Sequence, residues 1–420
     1  MAAYSSISSP DLIPVITQRA HEASLELLKF SGSDRSRALQ AMAKGIKTYK
    51  DDLLEANTLD LEASREMAVP ELILDWLKLT PERLQTAIAI LQRLSDLPDP
   101  LQQVQNPPYA VAQGQTYCQL MPLGVVALVY EAFPELGAIA AGMCVRTANS
   151  LILKGGSEAS QSNHMFASIL QAALEQVGLP TSSLEALPSD CGDLTHELVT
   201  CDRAVNLVIP YGRASLVHQV MRQATAPVLK TAIGNCYLYW SPSAGIDLVR
   251  WMILDSHASE PDPVNAIEKV LIHRNHLPSS LSLLWGSLLE KGYELKGDEE
   301  LAKEFPELSP VAPTEWRQPY LNRTIAFKWV RDLDDAIAWM NRYSSGHADC
   351  LATESYQESR LFASQMASAT VYINASSRFY RNPKFNLPIA LGMSNHKGHR
   401  RGFISLEALT TVKQIIQGNE

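Results

Sequence analysis

The stretch Gly124-Val-Val-Ala-Leu-Val-Tyr130, together with Asn149-Ser-Leu-Ile-Leu-Lys-Gly-Gly-Ser-Glu-Ala159, decides the fold of this chain. The first run is continuously apolar, a helical stretch follows it to Thr147, and Ser150–Leu153 is apolar again. Apolar runs that alternate with helices predict parallel strands covered on both faces. The chain is therefore predicted to be an α/β protein that binds its ligands at the C-terminal ends of these strands.

Elements on both sides of this stretch extend the pattern. In the first hundred residues Leu39, Met42 and Ile46 recur at helical spacing after Ser33-Asp34, which we expect to be an N-cap, and Glu71–Leu97 continues the helical layer. Tyr117–Met121 predicts a strand of an extended hairpin, the helix through Phe166 is expected to end at Gly178, and Asp334–Asn341 predicts another helix. Further strands are predicted at Ala204–Ile209, Pro227–Leu229, Cys236–Tyr239, Lys269–Ile272, Leu281–Leu284, Ile325–Val330 and Thr370–Ile373.

Composition limits the classes of function. The chain has 420 residues, of which 46% are hydrophobic, so it can form more than one packed core. A formal charge of −9 argues against binding to nucleic acid or to an anionic membrane, and no apolar run is long enough to span a bilayer. The six cysteines lack zinc-ligand spacing, which is typical of reduced thiols in a cytoplasmic protein. We therefore expect a cytoplasmic protein with a small-molecule site.

Six blocks carry a resemblance to a known family. They are Pro122–Glu131, Asn149–Ala159, Leu207–Gly212, Asn341–Asp349, Asn374–Phe379 and Leu406–Thr411. In order and spacing, from about residue 10 to the C-terminus, the chain resembles the γ-glutamyl phosphate reductases of the aldehyde dehydrogenase superfamily. The resemblance implies an aldehyde dehydrogenase-like α/β fold with a Rossmann-like cofactor domain, an α/β catalytic domain and a small oligomerisation element. It also implies a homo-oligomer.

The expected domain boundaries follow from this architecture. They are a helical layer over residues 1–100, a hairpin over 101–121, the cofactor domain over 122–235, the catalytic-type domain over 236–380 and a C-terminal return over 381–420. The family reduces L-glutamyl 5-phosphate to glutamate 5-semialdehyde with NADPH in proline biosynthesis. Its cysteine thiolate displaces phosphate, and hydride then reduces the resulting thioester.

A nucleotide site is expected just after the Leu151–Leu153 strand, at Lys154, Gly155, Gly156, Ser157 and Glu158. Small glycines allow close backbone approach, and Lys154 can hold an anionic or ribose oxygen. By resemblance this segment holds the adenosine ribose of NADP(H) or its phosphate; the alternative is a surface turn with a solvated lysine. Gly212 is expected near the dinucleotide, or serves only a turn.

The family's nucleophilic cysteine is missing at the expected position. Its Gln-Arg-Pro-Gly-Val-Cys-Asn-Ala stretch is here Ser259-Glu-Pro-Asp-Pro-Val-Asn-Ala266, which places Val264 where the cysteine belongs, with Asn265 beside it. Valine has no nucleophile. The alternative is a thiol supplied from elsewhere, by Cys236 or Cys350.

Other departures concern the same chemistry. By resemblance, polar or charged family residues are replaced at Phe133, Tyr211, Thr231, Ile233, Glu260 and Ala390.

The basic run His396–Arg401 indicates a solvated turn and is poor evidence for a metal site. We hypothesise a catalytically impaired relative. The alternatives are an active reductase and a non-catalytic nucleotide-binding or scaffold paralogue that co-assembles with a partner.

Overall fold

The computed structural model describes residues 12–105, 115–189, 193–258, 263–384, 387–396, 398 and 400–417. The chain divides into two compact units, which are described separately. Unit 1 comprises Met1–Thr231, Arg381–Gly392 and Phe403–Glu420, and unit 2 comprises Ala232–Tyr380 and Met393–Gly402.

The elements of the described residues are as follows. The helices are α1 Leu12–Leu27, α2 Gly32–Thr48, α3 Lys50–Glu66, α4 Glu71–Leu77, α5 Pro81–Asp96, α6 Pro134–Arg146, α7 Ser160–Gln176, α8 Asp193–Thr200, α9 Ala214–Gln223, α10 Ile246–Ser256, α11 Pro278–Leu289, α12 Glu299–Glu304, α13 Leu333–Tyr343 and α14 Tyr356–Gln365. The strands are β1 Val104–Gln105, β2 Gln115–Pro122, β3 Val125–Tyr130, β4 Ser150–Gly155, β5 Leu184–Ala186, β6 Leu207–Tyr211, β7 Cys236–Trp240, β8 Ile267–His273, β9 Glu294–Gly297, β10 Ser309–Pro310, β11 Thr324–Val330, β12 Ala348–Ala352, β13 Thr370–Ile373, β14 Met393–Ser394, β15 Gly402–Phe403 and β16 Thr410–Gln417.

Unit 1 is built on a parallel sheet with the strand order β5-β4-β3-β6. Every residue of β3 and β4 is buried, as their continuous apolar sequences predict for strands that are covered on both faces. The prediction of parallel strands joined by a helix is confirmed here, with α6 as that helix. The predicted strand at Pro227–Leu229 is wrong, because only Val228 makes an isolated bridge, to Val208.

A second, antiparallel sheet in unit 1 has the order β1-β2-β16. The strand β16 pairs with β2 along its whole length, from Thr410 opposite Pro122 to Gln417 opposite Gln115. The predicted strand Tyr117–Met121 lies within β2 and is confirmed. Residues 106–114 of the predicted hairpin lie outside the described residues.

Unit 2 contains a parallel sheet with the order β10-β9-β11-β8-β7-β12-β13. The predicted strands around residues 269–272, 325–330 and 370–373 are confirmed as β8, β11 and β13. The predicted strand at Leu281–Leu284 is wrong, because it lies inside α11. The buried residues of that helix are Leu281, Leu284, Trp285 and Leu288, which follow the helical period rather than alternating.

None of the helices in the described ranges has the length and apolar character that a membrane crossing requires.

The helical layer predicted over Glu71–Leu97 is interrupted, since α4 ends at Leu77 and α5 begins at Pro81.

Helix α2 begins two residues earlier than the sequence suggested. Its N-cap is Ser31, whose side-chain oxygen accepts a hydrogen bond from the Asp34 backbone N–H, while the Asp34 carboxylate accepts one from the Ser31 N–H at 2.9 Å. The predicted cap at Ser33-Asp34 is therefore wrong, because Asp34 is the third helical residue of a capping box.

The corrected cap makes a stability prediction. Ser31→Ala removes the acceptor for the Asp34 N–H, so we expect it to lower the free energy of unfolding by about 1 kcal/mol. The exposed neighbour Ser33 contacts the Ser31 hydroxyl at 2.7 Å but makes no bond to the helix backbone in the described structure, so Ser33→Ala is the control that keeps the backbone cap. Urea denaturation of both variants measures the difference. A larger loss in Ser33→Ala than in Ser31→Ala would contradict the assignment.

Candidate functional site

The predicted nucleotide segment lies in unit 1 at the C-terminal end of β4. Lys154 and Gly155 are the last residues of the strand, and Ser157–Ala159 forms a 3-10 turn before α7. Lys154 is only 5% exposed, and its Nζ donates to the carbonyl of Ser189 at 3.0 Å. Lys154 is thus not a solvated lysine of a surface turn. The segment remains predicted for nucleotide binding, at the sheet edge where ligands of parallel sheets bind.

Each glycine of the predicted site approaches another group closely. A Cβ atom at Gly155 would lie 2.1 Å from Asn163 Nδ2, and one at Gly156 would lie 2.2 Å from a carboxylate oxygen of Glu158. Gly212 has φ +150°, and a Cβ there would lie 2.7 Å from Glu131 Oε2. The backbone at Gly212 therefore requires glycine for conformational reasons, with or without a ligand.

Two carboxylates are the main charged groups beside these glycines. Glu131 pairs with Arg213, whose Nη2 lies 2.8 Å from Glu131 Oε1 and whose backbone N–H donates to Oε2. Glu158 accepts a hydrogen bond from the Ala132 N–H at 2.9 Å. Burial raises the pKa of the Glu158 carboxyl, and the charge of Glu131 raises it further. Carboxylates in this place suit the hydroxyl donors of a ribose.

An aromatic cluster of unit 1 includes two positions where the resemblance places arginines. The ring of Phe133 stacks on Trp76 with centroids 4.9 Å apart and meets Tyr211 edge-on at 5.3 Å. Phe133 is 1% exposed and Tyr211 is 4% exposed. Arg381 Nη2 donates to the Tyr211 hydroxyl at 2.8 Å. These side chains form packed core, so neither position supplies a cation for an anionic substrate.

Other substituted positions have structural roles as well. Thr231 is buried and donates its hydroxyl to the Pro210 carbonyl at 2.7 Å, and Ala390 is fully buried. Ile233, in unit 2, is half-buried. Glu260 lies outside the described residues, as do Lys397 and His399 of the basic run. Among the described residues no group of three or more His, Cys, Asp or Glu side chains could hold a metal ion.

Val264 lies in unit 2, just before β8, and is 3% exposed. Its backbone carbonyl lies 2.9 Å from His347 Nε2 and 3.8 Å from Cys236 Sγ. Cys236 Sγ and His347 Nε2 are themselves 3.3 Å apart. The neighbour Asn265 is fully buried, and its carbonyl accepts a hydrogen bond from Ser377 Oγ at 2.7 Å. A thiol and an imidazole therefore both contact the Val264 peptide, where the resemblance predicts the nucleophile.

The protonation of this pair opposes nucleophilic chemistry. Burial lowers the pKa of His347 to about 4, so its ring is neutral near pH 7. A carbonyl can only accept a hydrogen bond, so the proton of the neutral ring is on Nε2, and Nδ1 accepts from the Ser345 hydroxyl, 2.7 Å away. The ring nitrogen nearest to Cys236 therefore has no free lone pair to remove the thiol proton.

The thiol itself is held in its protonated form. Cys236 is fully buried, and burial together with the carboxyl of Asp349 raises its pKa well above the ordinary value. Burial likewise raises the pKa of the Cys350 thiol. A reactive thiol needs a lowered pKa and some exposure, and neither cysteine has them.

Sequence reasoning missed Asp349 as a buried titratable group. Its carboxylate accepts hydrogen bonds from the Tyr237 N–H at 2.8 Å, from Ser344 Oγ at 2.7 Å and from Ser368 Oγ. Burial nevertheless raises its pKa to about 7. The residue ends a block that carries the family resemblance, but no local pattern predicts that it is buried. The Cys236–His347 contact had no sequence signal either, because the two residues are 111 positions apart.

Comparisons with known proteins agree with this fold. The profile of the aldehyde dehydrogenase family matches residues 5–234. The chain is 51% identical over 404 residues to "Gamma-glutamyl phosphate reductase 2" of Synechocystis sp., covering 96% of each chain. It is 34% identical to "Gamma-glutamyl phosphate reductase" of Gloeobacter violaceus, covering 97% of each. The crystal structure of the γ-glutamyl phosphate reductase of Thermotoga maritima superposes with a TM-score of 0.90 at 29% identity, covering 97% of this chain and 98% of that one.

The raised pKa of Asp349 predicts a pH-dependent stability. Because the folded-state pKa of about 7 lies above the value near 3.9 of an unfolded aspartate, the unfolded state loses its proton first as pH rises. The contribution of Asp349 to stability is therefore largest below about pH 4, falls between about pH 4 and pH 7, and changes no further above that range.

Asp349→Asn removes this titration. We expect the wild type to lose about 2 to 3 kcal/mol more than Asp349→Asn in the free energy of unfolding between about pH 5 and pH 8. Urea titrations at several pH values measure the difference, with the exposed Asp334→Asn as control. Parallel pH profiles for the wild type and Asp349→Asn would contradict the assignment.

Proposed function

The chain belongs to the γ-glutamyl phosphate reductase family of the aldehyde dehydrogenase superfamily, and we propose that it keeps the nucleotide-binding fold but has lost the family's thioester chemistry. The reaction that membership implies is the reduction of L-glutamyl 5-phosphate to glutamate 5-semialdehyde with NADPH, in proline biosynthesis. The observation that carries the proposal is Val264, a buried aliphatic side chain at the nucleophile position.

The family reaction needs a group that Val264 lacks. A thiolate attacks the acyl carbon, phosphate leaves, and the thioester then accepts hydride from the nicotinamide. Valine has no lone pair to form the first bond. The nearby Cys236 thiol is buried and protonated, and the Nε2–H of His347 points to the Val264 carbonyl. These contacts support the proposal that no nucleophile is available at this position.

NADP(H) is the cofactor we propose for the remaining site. The residues that would hold it are Lys154, Gly155, Gly156, Ser157 and Glu158, with Gly212 beside them. Their chemistry fits a nucleotide, because the Glu158 carboxylate after the end of β4 can accept hydrogen bonds from ribose hydroxyls. When bound, the cofactor would supply hydride. The residues from Lys154 to Glu158 and Gly212 would only bind and orient it.

A family member without catalytic activity acts through binding rather than turnover. We propose that the chain works in the cytoplasm as a homo-oligomer, or by co-assembling with an active relative. Its negative charge is unfavourable for nucleic acid and for anionic membranes.

The decisive assay is the reverse reaction. Purified protein at high concentration is incubated with glutamate 5-semialdehyde, phosphate and NADP⁺, and NADPH formation is followed by absorbance. We expect no rate above a heat-inactivated control. A rate that depends on phosphate would overturn the proposal.

A second candidate is an active reductase that uses Cys236. The 3.3 Å contact between Cys236 Sγ and His347 Nε2 favours it, since adjacent thiol and imidazole groups can form a nucleophilic pair. If the reverse assay gives a rate, Cys236→Ala abolishes it under this second account. The buried Cys144→Ala, in unit 1, is the control for loss of a thiol without loss of the pair.

Restoring the thiol alone is predicted to fail. In Val264→Cys, neutral His347 still donates to the peptide at 264 and offers no base, so we expect the new thiol to keep a pKa near or above about 8.5 and the reverse reaction to stay at background. Alkylation with iodoacetamide across pH measures the pKa, and Val264→Ser is the control without a thiol. A thiol pKa below about 7, or strong turnover, would contradict the reading of its surroundings.

Nucleotide binding has its own test. Gly156→Val adds a side chain against Glu158, so we expect it to weaken NADPH binding by about tenfold or more, measured by fluorescence titration. Gly245→Val is the matched control, because a Cβ there meets nothing within 4 Å and the backbone is extended. Equal affinity in wild type and Gly156→Val would remove this segment from the site.

A further inference from the structure

A cavity of about 220 Å³ lies in unit 1, away from the sheet edge that carries the nucleotide segment. It is bounded by the turn between α1 and α2, by the chain after α5 and by strands β2 and β16. Its polar lining includes Ser31, Arg35, Asp99, Gln119 and Lys413. Apolar side chains such as Phe30 complete the wall. The volume would hold a small molecule of several heavy atoms, since one water takes about 30 Å³ of liquid.

Arg35 in this wall is buried but only partly paired. Its side chain is 3% exposed, and its Nη2 lies 2.6 Å from Asp99 Oδ2. Nε is buried without a hydrogen-bond partner among the described residues. A guanidinium carries five donors in a fixed fork, so this side chain keeps donors that the protein does not satisfy. Buried donors without partners are costly, and a ligand oxygen can satisfy them.

The charges around the cavity do not balance. Arg146 is also buried, and its guanidinium donates to the Gly32 carbonyl at 3.1 Å and to Ser36 Oγ at 2.9 Å. Burial lowers its pKa, the charge of Arg35 lowers it further, and Asp99 opposes both effects. Two buried guanidinium groups thus share the single carboxylate of Asp99.

The other charged groups nearby do not correct this excess. Asp34, beside the cavity residue Ser31, is engaged in the helix cap and pairs with Arg37 at 2.5 Å. Lys413 on β16 is exposed and adds positive charge to the lining. The region therefore has more positive than negative charge, next to a space that is open to a ligand.

We propose that this cavity, which we call the Arg35 cavity, binds a small oxyanion, either a carboxylate or a phosphate. The unsatisfied donors of Arg35 contact the anion, and Lys413 adds attraction at the edge. The site is independent of Val264 and of the nucleotide segment. It borders the antiparallel sheet β1-β2-β16, so an anion here contacts both α2 and this sheet.

Isothermal titration calorimetry on the full-length protein tests the site. The probes are inorganic phosphate and L-glutamate, each at constant ionic strength against chloride. The variants are Arg35→Gln and Lys413→Gln, and the control is Arg37→Gln, which removes the same charge from an exposed position on α2. We expect saturable binding of at least one probe, weakened about tenfold or more in Arg35→Gln and about threefold in Lys413→Gln, with no change in Arg37→Gln.

The two probes separate the sources of the oxyanion. Tighter phosphate binding assigns a phosphate site, and tighter glutamate binding assigns a carboxylate site. Lys413→Gln keeps the test valid if Arg35→Gln does not fold. Absence of saturable binding by either probe up to tens of millimolar would overturn the proposal, as would equal weakening by Lys413→Gln and Arg37→Gln.

Discussion

Parallel strands that are buried on both faces constrain everything else in this molecule. The strands β3 and β4 are fully buried, so helices must cover the apolar side chains on both faces of the sheet. Polar residues that follow these strands therefore lie at the carboxyl ends of the strands. The segment Lys154–Glu158, which we propose binds the nucleotide, follows from this arrangement, because it begins where β4 ends. The same principle organises the sheet of unit 2, in which Val264 immediately precedes β8.

Under our proposal this chain keeps the scaffold of the family without its thioester chemistry. The Val264 carbonyl accepts a hydrogen bond from His347 Nε2 at 2.9 Å, at the position where the resemblance puts the nucleophile. Around it, burial keeps Cys236 protonated and His347 neutral. In unit 1, Phe133 and Tyr211 have become packed aromatic core. These residues are buried, and we propose that none of them supplies the charge or lone pair that acyl-phosphate reduction needs.

The sequence was informative where burial imposes a period. Continuous apolar runs predicted β3 and β4, and the family blocks predicted the fold. The strand prediction at Leu281–Leu284 was wrong, because a four-residue apolar run fits a buried strand and a helix equally well. Only the residues around the run distinguish the two structures. The cap was misplaced because two serines precede Asp34, and only the backbone conformation at Ser31 distinguishes them. The contact of Cys236 with His347 and the burial of Asp349 depend on packing between distant strands, which no local pattern records.

The most direct test of the central claim is the search for a covalent acyl-enzyme. The protein is incubated with glutamate 5-semialdehyde and NADP⁺ without phosphate, conditions under which a thiol would add to the aldehyde, transfer hydride to NADP⁺ and remain as a thioester. Intact-protein mass spectrometry then measures the mass. We expect an unchanged mass. A glutamyl adduct on any cysteine, Cys236 above all, would contradict it.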